Sequence, residues 1–327
     1  MSEFRRDPVI GRWVIIDAAR NFDKYSSHEK YPHDGVNCPF CPGNEHLTRS
    51  EILSYRKNDN PKNWSLRVIP NNKPVLAVEG SLKRRADGMY DKMDGIGAHE
   101  IIIETPDHFA KPFNVKANYY EPVYKAAVER IKDLRNDSRL EYILFFKNYG
   151  IAANAHIEHP YSQLIAMPIV PNRVKEEIEG GKKYFSYKER CVYCDIITNE
   201  AAYEERLVCE NDAFVAFCPY ASRYPFETWI LPKNHSSDFD SISQRELMSF
   251  SQISEVLYYK LSKVLDDSAF SALVHTSPLK ERNLPYYHWH VEVIPKLTKT
   301  SGFEWGTGLY VNPVFPEEAA KYLRECE

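Results

Sequence analysis

Two Cys-x-x-Cys pairs, each followed by two histidines in the same order, constrain this chain more than any other feature. Cys38-Pro-Phe-Cys41 is trailed by His108 and His159, and Cys191-Val-Tyr-Cys194 is trailed by His235 and His288. A two-residue spacer lets both thiolates of a pair reach one tetrahedral ion from a tight turn, and two imidazoles complete the shell of a structural zinc site. A lone Cys-x-x-Cys is ambiguous between redox and metal chemistry. Its recurrence in the second half of the chain, with both histidine positions repeated, selects metal. The expectation is two Cys₂His₂ zinc sites per chain, the second also compatible with iron, carried by two halves, 1–172 and 173–327.

A length of 327 residues fits two such units, and a hydrophobic content of 43%, with 13% aromatic residues, can fill their cores. The formal net charge of −4 offers no basic field for nucleic acid. No apolar run approaches the roughly 18 residues of a membrane span, and Met1–Asp7 lacks the apolar stretch of a signal peptide. These features predict a cytoplasmic protein with neither nucleic-acid nor membrane partners. In that compartment its cysteines serve metal rather than disulfides. Isolated histidines (His28, His33, His46, His156) and the unpaired Cys209, Cys218 and Cys326 suggest no site. Trp13, Trp64, Trp229, Trp289 and Trp305 read as core.

Short β-branched or aromatic runs bounded by turn residues predict strands at 64–69, 100–104, 142–147 and 163–170, and again at 214–218, 228–231, 270–275 and 288–294. The segment Asp7–Asp17 reads as a strand hairpin, followed by a polar, histidine-rich loop. Apolar residues at helical spacing predict helices at 121–135 and 243–265. Asn172–Arg190, with Gly180-Gly181 and many charges, reads as a linker. Blocks of strands and helices, without strict βαβ alternation, point to an α+β fold on antiparallel sheet.

Several longer stretches carry a resemblance. They include Cys38-Pro-Phe-Cys41-Pro-Gly-Asn-Glu45, Arg67-Val-Ile-Pro-Asn71-Asn-Lys-Pro74, Glu100-Ile-Ile-Ile-Glu-Thr-Pro-Asp-His108 and Phe146-Lys-Asn148. Further on come His159-Pro-Tyr-Ser-Gln163, Tyr224-Pro-Phe-Glu-Thr-Trp-Ile-Leu-Pro232, His288-Trp-His290 and Gly302-Phe-Glu-Trp-Gly-Thr-Gly-Leu-Tyr-Val-Asn-Pro313. Across nearly its whole length the chain resembles the galactose-1-phosphate uridylyltransferase family of the histidine-triad superfamily. The resemblance implies two histidine-triad-like halves from an internal duplication, a homodimer, and a place in galactose or other carbohydrate metabolism. It also implies ping-pong nucleotidyl transfer between a nucleotide sugar, or a related nucleotide, and a phosphate-bearing acceptor. The adenylyl-transferring phosphorylases, of ADP-sugar or adenylylsulfate type, are the alternative activity. Carried over by position, Gln163 contacts phosphate, Ser162 belongs to its cradle, and Asn71 and Asn148 line the nucleotide path. Cys38, Cys41, His108 and His159 hold zinc behind that loop.

The family's nucleophile is the second histidine of His-x-His, and this chain has Tyr161 there. Three readings follow: a nucleotide-binding or catalytically altered homologue without a covalent histidine step, a tyrosine nucleophile that needs a base or cation to lower its pKa, or an introduced change that traps a complex. His290 occupies the matching place in the second half. It reads as structural or metal-binding, with relocated chemistry as the other option.

Overall fold

The computed structural model of the chain describes residues 3–16, 37–56 and 63–326. In the first half run β1 (Glu3–Arg6), β2 (Trp13–Ile16), β3 (Leu53–Arg56), β4 (Trp64–Pro70), the small hairpin β5 (Arg85–Asp87) and β6 (Tyr90–Lys92), β7 (Ala98–Ile103), α1 (Ala117–Leu134), β8 (Tyr142–Tyr149) and β9 (Tyr161–Met167). The second half follows with α2 (Asn172–Lys188), α3 (Val192–Tyr203), β10 (Leu207–Glu210), β11 (Phe214–Phe217), β12 (Thr228–Pro232), α4 (Gln244–Leu265), β13 (Phe270–His275) and β14 (His290–Pro295). It closes with α5 (Gly302–Thr307), β15 (Tyr310–Asn312) and α6 (Pro316–Glu325).

One ten-stranded sheet runs β3-β4-β7-β9-β8-β13-β14-β12-β11-β10. Its two ends have the same construction. Three strands lead to a long helix, then to two more strands, the last of which inserts beside the third: β9 beside β7 in one half, β14 beside β12 in the other. The halves meet where β8 pairs antiparallel with β13, from Phe145↔Val274 to Tyr149↔Phe270. This α+β architecture is one repeated unit of strands and a long helix, its two copies joined through their central strands.

Strand alternation sends successive side chains to opposite faces, and the two faces have different tasks. Ile102, Leu164 and Ala166 face α1 and α4, whose own apolar stripes meet through Tyr124, Phe250 and Ser254. Helix α4 starts at a Ser243/Glu246 capping box, which satisfies end-of-helix amides that would otherwise be orphaned. Ile101, Ile103 and Tyr161 face the other way, onto Cys38 and Phe40. The metal-type residues and the candidate substrate site lie on this second face.

Three expectations need correction. The segment 172–190 is not a linker: residues 172–188 form α2, which buries Val174, Glu177, Ile178 and Gly181 at helical spacing. The two glycines, read as flexibility, are there for close approach. A Cβ on Gly180 would sit 1.9 Å from the carbonyl oxygen of Val9, and one on Gly181 would sit 2.3 Å from that of Tyr286. The N-terminal hairpin lies further forward than 7–17: its first strand is Glu3–Arg6, before the expected segment, and Asp7–Arg12 forms the turn into Trp13–Ile16. Trp13 is 46% and Trp305 80% exposed, so only Trp64, Trp229 and Trp289 are core. His28 and His33 lie outside the described residues.

Gly180→Ala should therefore destabilise the protein by about 1–3 kcal/mol through overpacking, although alanine is intrinsically the better helix former by roughly 1 kcal/mol. Denaturant melts measure the net sign. A raised midpoint would show that helix propensity wins over the contact with Val9.

Candidate active site

The eight predicted ligands assemble as two tetrads, Cys38/Cys41/His108/His159 and Cys191/Cys194/His235/His288, whose ligand atoms all lie within 4.8 Å of one another. In the first, Cys41 Sγ is 3.3 Å from His108 Nδ1 and 3.5 Å from His159 Nδ1. In the second, Cys194 Sγ is 3.4 Å from His235 Nδ1 and 3.7 Å from His288 Nδ1. Sulfur and nitrogen bound to one tetrahedral zinc stand about 3.6 Å apart, so both donor sets fit such an ion. The outward ring nitrogens agree. His159 Nε2 donates to the Thr105 carbonyl, His235 Nε2 to that of Leu284 and His288 Nε2 to that of Pro232, which leaves each Nδ1 lone pair facing the thiols. Burial, and then the neighbouring Cys38, push the Cys41 thiol up to about 12, and burial lowers His159 to about 4. Two thiolates at this place need a cation to compensate them.

Each tetrad fixes the start of the last strand of its half, and the comparison of those strands is informative. In the first half, Ile103 pairs with Tyr161 and Ile101 with Gln163. In the second, Trp229 pairs with Glu292 and His290 opens β14, so Glu292 stands where Gln163 does and His290 where Tyr161 does. Glu292 is clamped by Arg173 at 2.8 Å and by Arg223 at 2.7 Å. The His290 ring lies against Tyr193, His275 and Trp229, with centroids 5.1, 4.9 and 5.2 Å away. A carboxylate held by two arginines and aromatic rings packed around the imidazole make this part of the second half unlike its first-half counterpart.

Glu177, His275, His290 and Glu292 form a third buried group with ligand-type atoms within 4.8 Å of one another. Its carboxylates already have partners, Glu177 in His275 at 2.9 Å and the Tyr287 hydroxyl, Glu292 in the two arginines. Burial holds His290 at about 4, below the roughly 6.5 of an exposed imidazole. The unfolded chain therefore takes up this proton first as pH falls, and stability drops between about pH 6.5 and 4, by on the order of 3 kcal/mol from this residue. Urea midpoints at pH 7 and pH 4.5 should show the loss, and His290→Asn should flatten it. An unchanged slope in that variant would remove His290 as the cause.

The first-half face is arranged differently. Tyr161 is buried against Phe40, with ring centroids 5.5 Å apart, and its hydroxyl accepts from the His156 backbone N–H at 3.3 Å. Burial raises its pKa. Lys147, on the neighbouring strand β8, bonds both Glu104 oxygens at 2.7 Å and reaches only the backbone carbonyl of Tyr161, at 3.5 Å. Gln163 lies on the same face two residues on, and Asn148 shares it, because Phe146 of β8 pairs with Gln163. Asn71, at the end of β4, reaches the face through its backbone bond to His99.

Ser162 does not join them. Alternation turns its hydroxyl to the opposite face, where it donates to Glu104 beside Lys147 and Tyr119. The residue that sequence reasoning missed is His99, buried, with Nε2 2.9 Å from Gln163 Oε1 and 3.0 Å from Asn71 Nδ2. Its only sequence signal is alternation: His99, Ile101 and Ile103 share one face of β7.

The repeated α+β unit, with a Cys₂His₂ tetrad at the start of the last strand of each half, is the frame on which the comparisons bear. The family model for the N-terminal domain of galactose-1-phosphate uridyl transferase matches residues 1–171, and one for a domain of unknown function (DUF4921) matches residues 97–325. ADP-glucose phosphorylase of Arabidopsis thaliana is 36% identical, over 99% of this chain and 92% of that protein. Galactose-1-phosphate uridylyltransferase of Thermotoga maritima is 29% identical, over 100% and 99%. The crystal structure of an Arabidopsis thaliana ADP-glucose phosphorylase with bound ADP-glucose superposes with a TM-score of 0.86 at 35% identity, covering 100% of this chain and 99% of that one. The chain belongs to the galactose-1-phosphate uridylyltransferase family of nucleotidyltransferases. Among the described residues, no helix is long and apolar enough to cross a membrane.

Proposed function

We propose that this chain binds a nucleoside diphosphate sugar along the Asn71–Gln163–Asn148 face and passes its nucleotidyl group to a phosphate acceptor, as an ADP-sugar phosphorylase would. The observation that carries this reading is the union of Gln163, Asn71 and Asn148 on one sheet face, where the second half has Glu292 in place of Gln163. The similarity to ADP-glucose phosphorylase over essentially the whole chain supports an adenine nucleotide as the first to test.

Zinc in both tetrads belongs to this reading. It would hold the Cys38–Cys41 turn, His108 and His159 together and so fix the strand start from which Tyr161 and Gln163 project. That contribution is structural.

Tyr161 does not act as the nucleophile. Its pKa is moved up by burial, and among the described residues its hydroxyl meets only the His156 backbone N–H, neither a base nor a cation. Transfer then proceeds in one displacement. An acceptor phosphate oxygen forms a bond to the α-phosphorus while the bond to the bridging oxygen breaks, and the sugar leaves as its 1-phosphate. The Gln163 amide stabilises the charge that builds on the α-phosphoryl oxygens.

The test uses ADP-glucose labelled at the α-phosphorus, with inorganic phosphate as acceptor. Turnover should proceed with no label on the denatured protein and with inversion at phosphorus, and Gln163→Ala should slow it by about a hundredfold. Label recovered on Tyr161, or net retention, would overturn the single-displacement step. Failure to bind any nucleotide sugar would overturn the function.

A further inference from the structure

His99 has no counterpart in the chemistry so far, yet it contacts the side chain on which that chemistry depends. Its protonation can be assigned from its neighbours. The Val75 backbone N–H lies 3.3 Å from Nδ1 and can only donate, so Nδ1 carries a lone pair. The neutral ring then bears its proton on Nε2, 2.9 Å from Gln163 Oε1. With Gln163 in the opposite amide orientation, its NH₂ would meet this N–H donor head on, leaving a buried donor unpaired. The Asn71 side chain, which flanks the imidazole, is itself fixed by accepting the Lys73 backbone N–H at 2.9 Å.

We propose that His99 is a positioning residue: Val75 sets its tautomer, its Nε2–H captures the Gln163 carbonyl, and both Gln163 amide protons are thereby turned toward the phosphates of a nucleoside diphosphate sugar. Free in solution, an amide offers an anion its donor or its acceptor end with little preference. Here the choice is made in advance by a chain of three fixed groups, Val75 N–H to His99 to Gln163. Preorganised donors cost no reorientation as charge develops, so the benefit falls on the transition state more than on ground-state binding. The second half has no such relay. Glu227 pairs there with Arg223, and Glu292 takes the glutamine's place.

The inference rests on the proposed nucleotidyl transfer for its kinetic readout but not for its structural one. His99→Phe keeps a flat ring and removes the donor, whereas His99→Gln places an amide N–H near the lost Nε2. His99→Phe should lower kcat by roughly ten- to a hundredfold with little change in KM, and His99→Gln should recover most of the loss. In a Gln163→Ala background, His99→Phe should cost almost nothing more, since the two act as one unit. Full additivity, or no recovery by glutamine, would overturn the positioning role.

Nitrogen NMR of the unmodified protein reads the His99 tautomer directly, whether or not a substrate has been found. A proton on Nδ1 would overturn the relay. A proton on Nε2 in a protein that binds no nucleotide sugar would uphold the relay and reject the proposed function instead.

Discussion

Tyr161→His should turn single-displacement transfer into a two-step reaction, with nucleotidyl label retained on the denatured protein and turnover raised by on the order of a hundredfold, about 2.7 kcal/mol of barrier. The second half supplies the template. At the matching place His290 Nδ1–H donates to the His288 carbonyl at 3.0 Å, and its Nε2 has no hydrogen-bond partner. A histidine at 161 would find the His159 carbonyl in the same relation and would present an unprotonated Nε2 beside Gln163. It is smaller than tyrosine, so it fits without overpacking against Phe40. Unlike a phenol, neutral imidazole needs no deprotonation before it attacks phosphorus, and a covalent intermediate splits one displacement between anions into two easier ones. Rapid quench with α-phosphorus-labelled ADP-glucose would detect the acid-labile adduct. A Tyr161→His protein that binds nucleotide sugar yet retains no label and turns over no faster would show that position 161 does not face the α-phosphorus.

How much of this was legible in the sequence depended on whether a signal was local. The two tetrads were readable because each begins with a Cys-x-x-Cys pair and its histidines stand one after and one before strands with strong β-branched signatures. The core strands and the helices α1 and α4 were readable for the same reason, since half-buried elements print their period on the chain. Helix α2 was not. Its buried stripe is narrow, and its glycines serve close approaches to the Val9 and Tyr286 backbones that exist only after folding. The opposite orientations of Ser162 and Gln163 follow from strand alternation once β9 is known to begin at Tyr161, but a motif read as a string hides them. His99 was invisible as a site because its partners, Val75 and Gln163, come from separate segments and meet only across the sheet. The exposed Trp13 and Trp305 show the limit of composition: an aromatic residue is core only where an element turns it inward.

Purified protein should contain about two zinc ions per chain, and stripping them should cost several kcal/mol, enough to lower the melting temperature by roughly 10 °C. The argument is one of uncompensated burial. Each tetrad draws its ligands from segments far apart in sequence. In the first these are the turn at Cys38 and Cys41, the loop after β7, and the residue two before β9. Without a cation, Cys41 stays protonated, since burial and Cys38 push it up to about 12, and the His108 and His159 Nδ1 atoms are left with that one thiol between them. Single substitutions should separate the two tetrads. Cys38→Ser should halve the zinc content and abolish transfer, because the strand start that carries Tyr161 and Gln163 loses its anchor. Cys191→Ser should halve the zinc and lower stability, yet leave nucleotide-sugar binding close to normal, because the second-half face carries Glu292 and Tyr193 in place of the Gln163 arrangement. Metal analysis with thermal melts and calorimetric titration of ADP-glucose reads all three quantities on the same samples. Full zinc content in Cys38→Ser would exclude that tetrad as a metal site. Equal loss of binding in both variants would show that the halves are coupled through β8 and β13 more tightly than their separate tetrads imply.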